Sequence, residues 1–389
     1  MSALVQGVVY PAVRPKDIRS YLVPVAPSPE QHRIVAEIEK HLTRLDAAVA
    51  ALERARANLK RYRASVLKAA CEGRLVRTGA ELACAEGRDY EPADVLLQRV
   101  RKERRAWWEA DQLEKMRAAG KEPKDESWKA KHKEPTHPDV EGLPELPEGW
   151  AWATVGQLCD VRTGATPLRS NVAFYGGRIP WVTSGALNDP FVDQAEEYVT
   201  DLALRMTNAK VFSTGTLLVA MYGEGKTRGK VSELRMDAAT NQACAALIFD
   251  EPSRVCRPYV KVFLLKNYDD IRRLSSGGVQ PNLNLSLVRD TLVPLPPLTE
   301  QHRIVEEVER RLSLVDELQT EVDHGLLRAA RLRQSVLKHA FEGKLVPQDP
   351  DDEPASVLLE SIRAEREASL QGNGARPAPA RPRRGRSKR

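Results

Sequence analysis

Residues 217–231 read LLVAMYGEGKTRGKV. Ala220, four intervening residues and then Gly225-Lys226-Thr227 loosely match a phosphate-cradling loop, and the apolar run before them is what such a motif requires. The chemistry would be nucleotide hydrolysis, in which a helix beginning at the Lys-Thr turns its N–H groups and dipole on the phosphates. The next residues are Arg228-Gly229-Lys230-Val231, a glycine two residues into that helix and then a valine-led run that reads as a return strand. No apolar strand ending in a metal-binding Asp is evident downstream. The stretch is expected to be a hairpin loop with Lys226, Arg228 and Lys230 at a Gly-rich tip, able to track a phosphate backbone.

Other signs of catalysis are thin. There is no Asn/Asp-Pro-Pro-aromatic tetrapeptide for amino-methyl transfer, and Pro138-Asp139 lacks the acid-x-Lys that would suggest a nuclease. Glu224 reads as loop solvation. The five cysteines (Cys71, Cys84, Cys159, Cys244, Cys256) form no C-x-x-C pair, which fits reduced thiols and argues against a zinc site. His132 and His137 have no cysteine near them and read as loop residues.

The chain has 389 residues, room for two or three domains, with 42% hydrophobic and 29% charged residues. No apolar run approaches the roughly 18 residues of a membrane helix, and the N-terminus lacks signal-peptide character, so a cytoplasmic protein is expected. The net charge of +6 is local in origin. Residues 372–389 hold seven of the 60 Lys and Arg and none of the 54 acids, leaving the remainder at −1. That tail, rich in Pro, Gly and Arg, is expected to be disordered.

The elements that must position any site come in a repeat. Residues 23–76 align without a gap on 293–346, sharing EQHRIV, SVLK and EG-[RK]-LV, and the likeness continues as DYEPADVLL (89–97) and DDEPASVLL (351–359). In the first copy Val35, Ile38, Leu42, Leu45, Val49, Leu52, Arg56, Leu59, Arg63 and Val66 step by threes and fours. Val305, Val308, Leu312, Val315, Gln319, Val322, Leu326, Ala329, Arg333 and Val336 do so in the second, and this is a coiled-coil seam. Pro29 and Gly73, or Pro297 and Gly343, bound helices of roughly 43 residues, on the order of 65 Å long. They are expected to pack on each other as an antiparallel pair. Arg56, Arg63 and Arg333 fall on the seam and are expected to snorkel to solvent.

Between the copies, residues 101–135 read as a helix running into a charged linker, with Trp107, Trp108 and Trp128 as docking aromatics. LPELPEGWAW (143–152) opens a domain with strand-type runs RIPWVTS, TGTLLVAM and QACAALIFD and a helical stretch PYVKVFLLKNYDDIRRL. Its 16 basic and 14 acidic residues over 150–297 mean that any nucleic-acid surface is a local stripe. The fold class expected is α+β, one globular domain plus two long helices.

A domain that opens LPEGWAW, carries TGATP (163–167) and NQACAAL (241–247), and closes GGVQPNLNLSLVRDTLVPLPPLTEQHRIV before a long helix resembles the DNA-specificity subunit of type I restriction-modification systems. The resemblance divides the chain into a tail of a recognition domain (1–28), a first conserved helical region (29–110), a charged linker (111–145), a target-recognition domain (146–298), a second conserved region (299–370) and the basic tail (371–389). It implies a non-catalytic subunit that binds double-stranded DNA, reads half of a bipartite site and scaffolds methyltransferase and restriction subunits. Only GVVYPAVRPKDIRSYLVPVAP, which aligns with the close of the recognition domain, precedes the first helix, so the chain is expected to read one half-site unless a second specificity chain supplies the other. No cofactor is implied for this chain, whereas S-adenosylmethionine, ATP and Mg2+ are implied for its partners.

DNA-contact candidates under the resemblance are Arg162, Thr163, Thr166, Ser184, Lys226, Arg228, Lys230, Asn241 and Gln242. Lys and Arg suit phosphates or guanine, and the two amides match adenine N6 and N7. Loop solvation, turn capping and structural hydrogen bonding are the ordinary roles of the same residues. Gly277, Gly278, Gln280, Pro281 and Asn282 read as a turn into the second helix. The competing readings are a nucleotide-binding enzyme built on Lys226 and a structural coiled-coil protein without DNA affinity.

Overall fold

The computed structural model describes residues 14–120, 123, 125–132, 134–223, 226–251, 254–274 and 282–372. Glu224, Gly225, residues 277–281 and the tail from 373 lie outside them. Packing divides the chain into two units, residues 1–57 with 319–389 and residues 58–318.

In chain order the helices are α1 (Pro15–Arg19), α2 (Ser28–Cys71), α3 (Gly79–Glu86), α4 (Ala93–Ala118), α5 (Val155–Leu158), α6 (Asp201–Met206), α7 (Arg257–Lys266), α8 (Tyr268–Leu274), α9 (Leu285–Arg289), α10 (Leu298–Phe341) and α11 (Ala355–Gly372). The strands are β1 (Ala151–Thr154), β2 (Asp160–Thr163), β3 (Tyr175–Val182), β4 (Phe191–Val192), β5 (Glu197–Val199), β6 (Val211–Phe212), β7 (Leu217–Ala220), β8 (Val231–Leu234), β9 (Ala238–Thr240), β10 (Cys244–Ile248) and β11 (Leu292–Leu295). The α+β class with two long helices is the one expected from the repeat.

The repeat words become α2 and α10, each 44 residues. Both end as the chain turns out through a glycine in the left-handed region, Gly73 at φ +68° and Gly343 at φ +67°. On α10 the residues Val308, Val315, Val322 and Ala329, seven apart, are buried, as a heptad seam requires. At the start of α10 it is Ile304 rather than Val305 that is fully buried, and Val35 of α2, expected on the seam, is exposed.

The three seam arginines do not snorkel freely. In the first unit Arg333 pairs with Asp46, and Arg56 lies 3.6 Å from Asp323; in the second, Arg63 pairs with Asp316. Residues 46 and 333, then 56 and 323, step forward on α2 and backward on α10, so the helices are antiparallel. Arg63–Asp316 and Arg333–Asp46 are the same pair of repeat positions used twice. Exposed pairs of this kind contribute about 0–1 kcal/mol each, so the apolar seam supplies the stability. Gly325 allows close approach, since a Cβ there would stand 3.0 Å from Leu52 Cδ1.

The shared words of the repeat have physical roles. Gln31 and Gln301 each return a side-chain N–H to a carbonyl five residues back, Ala26 at 2.7 Å and Pro296 at 2.8 Å, closing the lead-in to each helix. In the second unit Glu300 is fully buried, yet both oxygens are used: the Gly79 N–H donates to Oε2 at 2.7 Å and the Trp150 indole N–H to Oε1 at 3.0 Å. One carboxylate thus ties the start of α10 to the start of α3 and to the strand-leading Trp150. Tyr259 packs edge-on against that indole at 6.4 Å and donates to Pro294 O at 2.6 Å.

The expected linker docks on its own helix: Trp128 is buried and stacks on Trp108 of α4 at 6.0 Å, with His132 edge-on to Trp108 at 5.1 Å. His132 therefore serves packing. Among the described residues no group of acids, histidines and cysteines could hold a metal ion, and no helix is long and apolar enough to cross a membrane. All five cysteines are unpaired.

Burial raises the Glu300 carboxyl above its ordinary value, against the two donors and Arg303, which favour the charged form. A carboxyl with a raised folded value binds more protons in the folded state, so stability falls as pH climbs from the ordinary carboxylate range to the raised one. Glu300→Gln removes that slope and leaves either Gly79 N–H or the Trp150 indole without an acceptor. It is expected to cost about 1–3 kcal/mol in urea unfolding at neutral pH, with less pH dependence between mildly acidic and neutral pH than the parent.

Candidate nucleic-acid interface

The domain between the helices, all within residues 58–318, holds three sheets. A two-stranded sheet pairs β1 with β11, a five-stranded sheet runs β2-β10-β7-β8-β4, and a four-stranded sheet runs β5-β3-β9-β6. Register places their loops. Thr163 faces Ala245 and Cys244 faces Ala220, so β2 and β7 finish where β10 begins. Val219 faces Val231, and β4 runs parallel to β8, so β8 and β4 also begin at that end. In the other sheet Val182 faces Thr240 and Val211 faces Ala239, which brings the ends of β3 and β9 and the start of β6 together. The segments 164–167, 183–190, 208–210, 221–230 and 241–243 therefore leave the sheets at one end, and every DNA-contact candidate lies on or beside them.

The glycine loop is a hairpin. β7 and β8 are antiparallel neighbours, the Gly229 N–H donates to Ala220 O at 2.8 Å, and Gly229 sits at φ +84°. A strand, not a helix, comes after Lys226-Thr227, so no helix N-terminus begins there among the described residues. The loop is held from outside: Tyr268 Oη donates to Lys226 O at 2.6 Å, and Arg272 Nη1 donates to Arg228 O at 2.7 Å. Thr227 Oγ1 reaches Asn188 Oδ1 at 3.2 Å, and Lys230 Nζ donates to Asn188 O at 3.1 Å. Ser184 opens the 3-10 turn that ends at Asn188, so the 183–190 segment and the basic loop form one group.

The second group is a pocket of about 490 Å³ lined by Thr163, Gly164, Ala165, Thr166, Asn208, Lys210 and Gln242. Its TGATP wall is braced from behind. Trp181 Nε1 donates to Ala165 O at 3.2 Å and Tyr175 Oη to Pro167 O at 2.6 Å. The Arg169 guanidinium lies 4.9 Å from both rings and pairs with Glu197. Position 164 requires glycine, because a Cβ would stand 1.9 Å from Thr240 O. Beneath it the Thr240 hydroxyl is buried with no partner among the described residues.

The polar candidates differ in what they leave available. Arg162 is exposed and turned to Asp160 at 2.6 Å. Thr163 Oγ1 lies 3.0 Å from Cys244 O and 3.2 Å from Gln242 O, so its proton is used within the fold. Asn241 Oδ1 accepts the Ala243 N–H at 3.1 Å and the Cys244 thiol at 3.4 Å. Burial raises that thiol to about 12, which keeps it a proton donor. Thr166 Oγ1 donates to Gln242 Oε1 at 2.5 Å. Asn208 and Lys210, in the short loop between α6 and β6, were not among the expected residues. Their only signal in the sequence is a polar TNAK between a helical and a strand-type run.

Comparison with known proteins places this geometry. Residues 147–324 match the family model described as the type I restriction modification DNA specificity domain. The chain is 27% identical over 378 residues to the type I restriction enzyme EcoDI specificity subunit of Escherichia coli, covering 94% of this chain and 73% of that one. It is 25% identical over 378 residues to the EcoBI specificity subunit of Escherichia coli, covering 91% and 66%. A chain solved in a type I R-M system shares the fold, with a TM-score of 0.58 and 20% identity over 87% of this chain and 65% of that one. The chain thus spans about two thirds to three quarters of the length of the proteins it matches. The stretch matched by these relatives takes in the repeated helices as well as the domain between them, and residues 147–324 carry the DNA specificity domain of type I restriction-modification systems.

Proposed function

We propose that this chain is the address-reading subunit of a type I restriction-modification complex, recognising half of a bipartite sequence in double-stranded DNA through the loops at one end of its sheets. The observation that carries this is the convergence of those loops: basic, amide and hydroxyl side chains chosen from the sequence alone leave the fold in one place. Arg162, Thr163, Thr166, Ser184, Lys226, Arg228, Lys230, Asn241 and Gln242 are assigned to that surface, the basic loop to phosphates and the pocket to bases. The paired helices scaffold methyltransferase and restriction subunits. Methylation with S-adenosylmethionine and ATP- and Mg2+-dependent cleavage belong to those partners, in the cytoplasm, and this chain catalyses neither. The hairpin form of the Lys226 loop speaks against the nucleotide-binding alternative.

A second specificity chain is favoured by a specific asymmetry in exposure. Segment 15–25 is the repeat counterpart of 285–295, with α1 matching α9. Val288, Val293 and Leu295 are fully buried, whereas Ile18, Val23 and Val25 are 57%, 58% and 43% exposed. Ile362 of α11 is 37% exposed where its counterpart Val100 of α4 is buried. β11 pairs with β1, but 22–25 has no strand partner among the described residues. An apolar face of this kind suits the same face of a second copy, related by a twofold axis.

Two measurements test these readings. Replacing Lys226, Arg228 and Lys230 together by Ala should weaken duplex binding and lower the log–log salt slope by roughly 3, as loss of three phosphate contacts does; an unchanged slope removes this loop from the interface. In sedimentation equilibrium the chain should run at twice its 43.4 kDa, and Val23→Asp with Ile362→Asp should return it to monomer with its helix content intact. A monomeric parent throughout the micromolar range counts against the second chain.

A further inference from the structure

The basic hairpin has little of its own to fold against. Between Met221 and Val231, both buried, none of its described residues buries an apolar side chain. Such a stretch stays ordered only where another element supplies bonds to its backbone. α8 supplies them. Tyr268 Oη donates to Lys226 O at 2.6 Å and Arg272 Nη1 to Arg228 O at 2.7 Å, so donors four residues apart on one helix face take carbonyls two residues apart on the hairpin. The guanidinium stands 5.1 Å from the Tyr268 ring, which keeps the two donors together. Gly229, at φ +84°, lies against the same helix: a Cβ there would stand 3.2 Å from Arg272 Cγ and 3.3 Å from Ile271 Cγ2. α8 is itself rooted, because Ile271 is buried in the domain core and its N–H donates to Asn267 O at 2.9 Å.

Lys and Arg meet a phosphate at the end of flexible stems, so the reach of Lys226 and Arg228 is set by where their backbone stands. We propose that Tyr268 and Arg272 are positioning residues for DNA binding, and that α8 is a splint holding the basic hairpin in its binding form before DNA arrives. The proposal rests on the assignment of that hairpin to phosphates in the DNA-reading function above, and it adds residues from a helix that bears no DNA-contact candidate. A preordered loop binds without first losing its own freedom, whereas a loosened one makes the same contacts at lower affinity. Splint and contact therefore differ in what salt does. Removing a phosphate contact lowers the log–log salt slope by about 1, whereas loosening the loop weakens binding at an unchanged slope.

The test titrates the purified full chain with a random DNA duplex over a series of salt concentrations, and separately follows trypsin cleavage of the free chain after Lys226 and Arg228 by fragment mass. Tyr268→Phe removes one hydroxyl and no charge. It should weaken duplex binding roughly three- to tenfold, the net contribution of one hydrogen bond, leave the salt slope unchanged and speed cleavage within the hairpin. Arg272→Met should do the same, and Arg272→Lys, which keeps a donor on a long stem, should recover most of the parent's affinity and resistance to trypsin. Cleavage elsewhere in the chain should keep the parent's rate, which separates a loosened loop from a damaged fold. Hairpin cleavage as fast in the parent as in Tyr268→Phe and Arg272→Met would show that α8 does not hold the loop. A salt slope lowered by about 1 in Arg272→Met, with cleavage unchanged, would make Arg272 a phosphate contact instead. Either result overturns the proposal. Failure of the parent to bind duplex at all would sink the DNA-reading function, and the positioning role with it, even with the cleavage rates in the expected order, so the two failures are distinguishable.

Discussion

An apolar seam 44 residues long cannot be left in water, and a single helix has no other surface with which to cover it. The repeat answers this constraint by supplying the cover twice in one chain. Val308, Val315, Val322 and Ala329 are buried at seven-residue intervals, and seam arginines that would be liabilities in an apolar groove are matched to aspartates at repeat-related positions. Those charged pairs are too exposed to contribute much stability. Their consequence is that each seam arginine meets an acid across the pair, and acids also stand one heptad away on either side, Glu309 and Asp323 about Asp316 and Glu39 and Glu53 about Asp46, so the register is left to the apolar seam. Register in turn decides where each helix begins, and the starts are where the rest of the chain is attached.

Attachment is concentrated at one buried carboxylate. Glu300 meets a backbone N–H from α3 and the indole of Trp150, so the helix start, the turn after the first repeat and the first strand of the domain share one acceptor group. Burying a carboxylate is unfavourable, as its raised protonation shows, and it is tolerated because both oxygens are used. The first repeat places Glu30, also buried, at the same position. Around it the segment corresponding to β11 and α9 is exposed rather than packed, so identical words lead to different burial in the two units.

The candidate interface obeys a different logic, because its charge is local. Lys226, Arg228 and Lys230 share a hairpin whose carbonyls are gripped by Tyr268 and Arg272, while the neighbouring pocket is braced by Trp181, Tyr175 and Arg169. Fastening the backbone leaves side chains to meet a ligand without first ordering the loop, which lowers the entropic cost of binding. Hydroxyls that look from their type like ligand contacts are partly spent inside: Thr163 closes onto Cys244 O, and Thr166 orients Gln242.

Much of this was legible in the residues. The repeat, its period of three and four, and the glycines at 73 and 343 determine two long helices and their ends, because heptad burial and left-handed glycine geometry are local properties. The failure of GEGKTRGK as a phosphate loop was equally legible, because Gly229 and Val231 are poor continuations of a helix. Three things only the tertiary structure decided. The acids that answer Arg56, Arg63 and Arg333 lie more than 250 positions away and are chosen by the register that the apolar seam sets. Asn208 and Lys210 join Gln242 only because β6 pairs with β9 at the end where β10 begins. And the orientation of the Gln242 side chain is set by a hydroxyl that the folded chain brings to its oxygen, that of Thr166, 76 residues away.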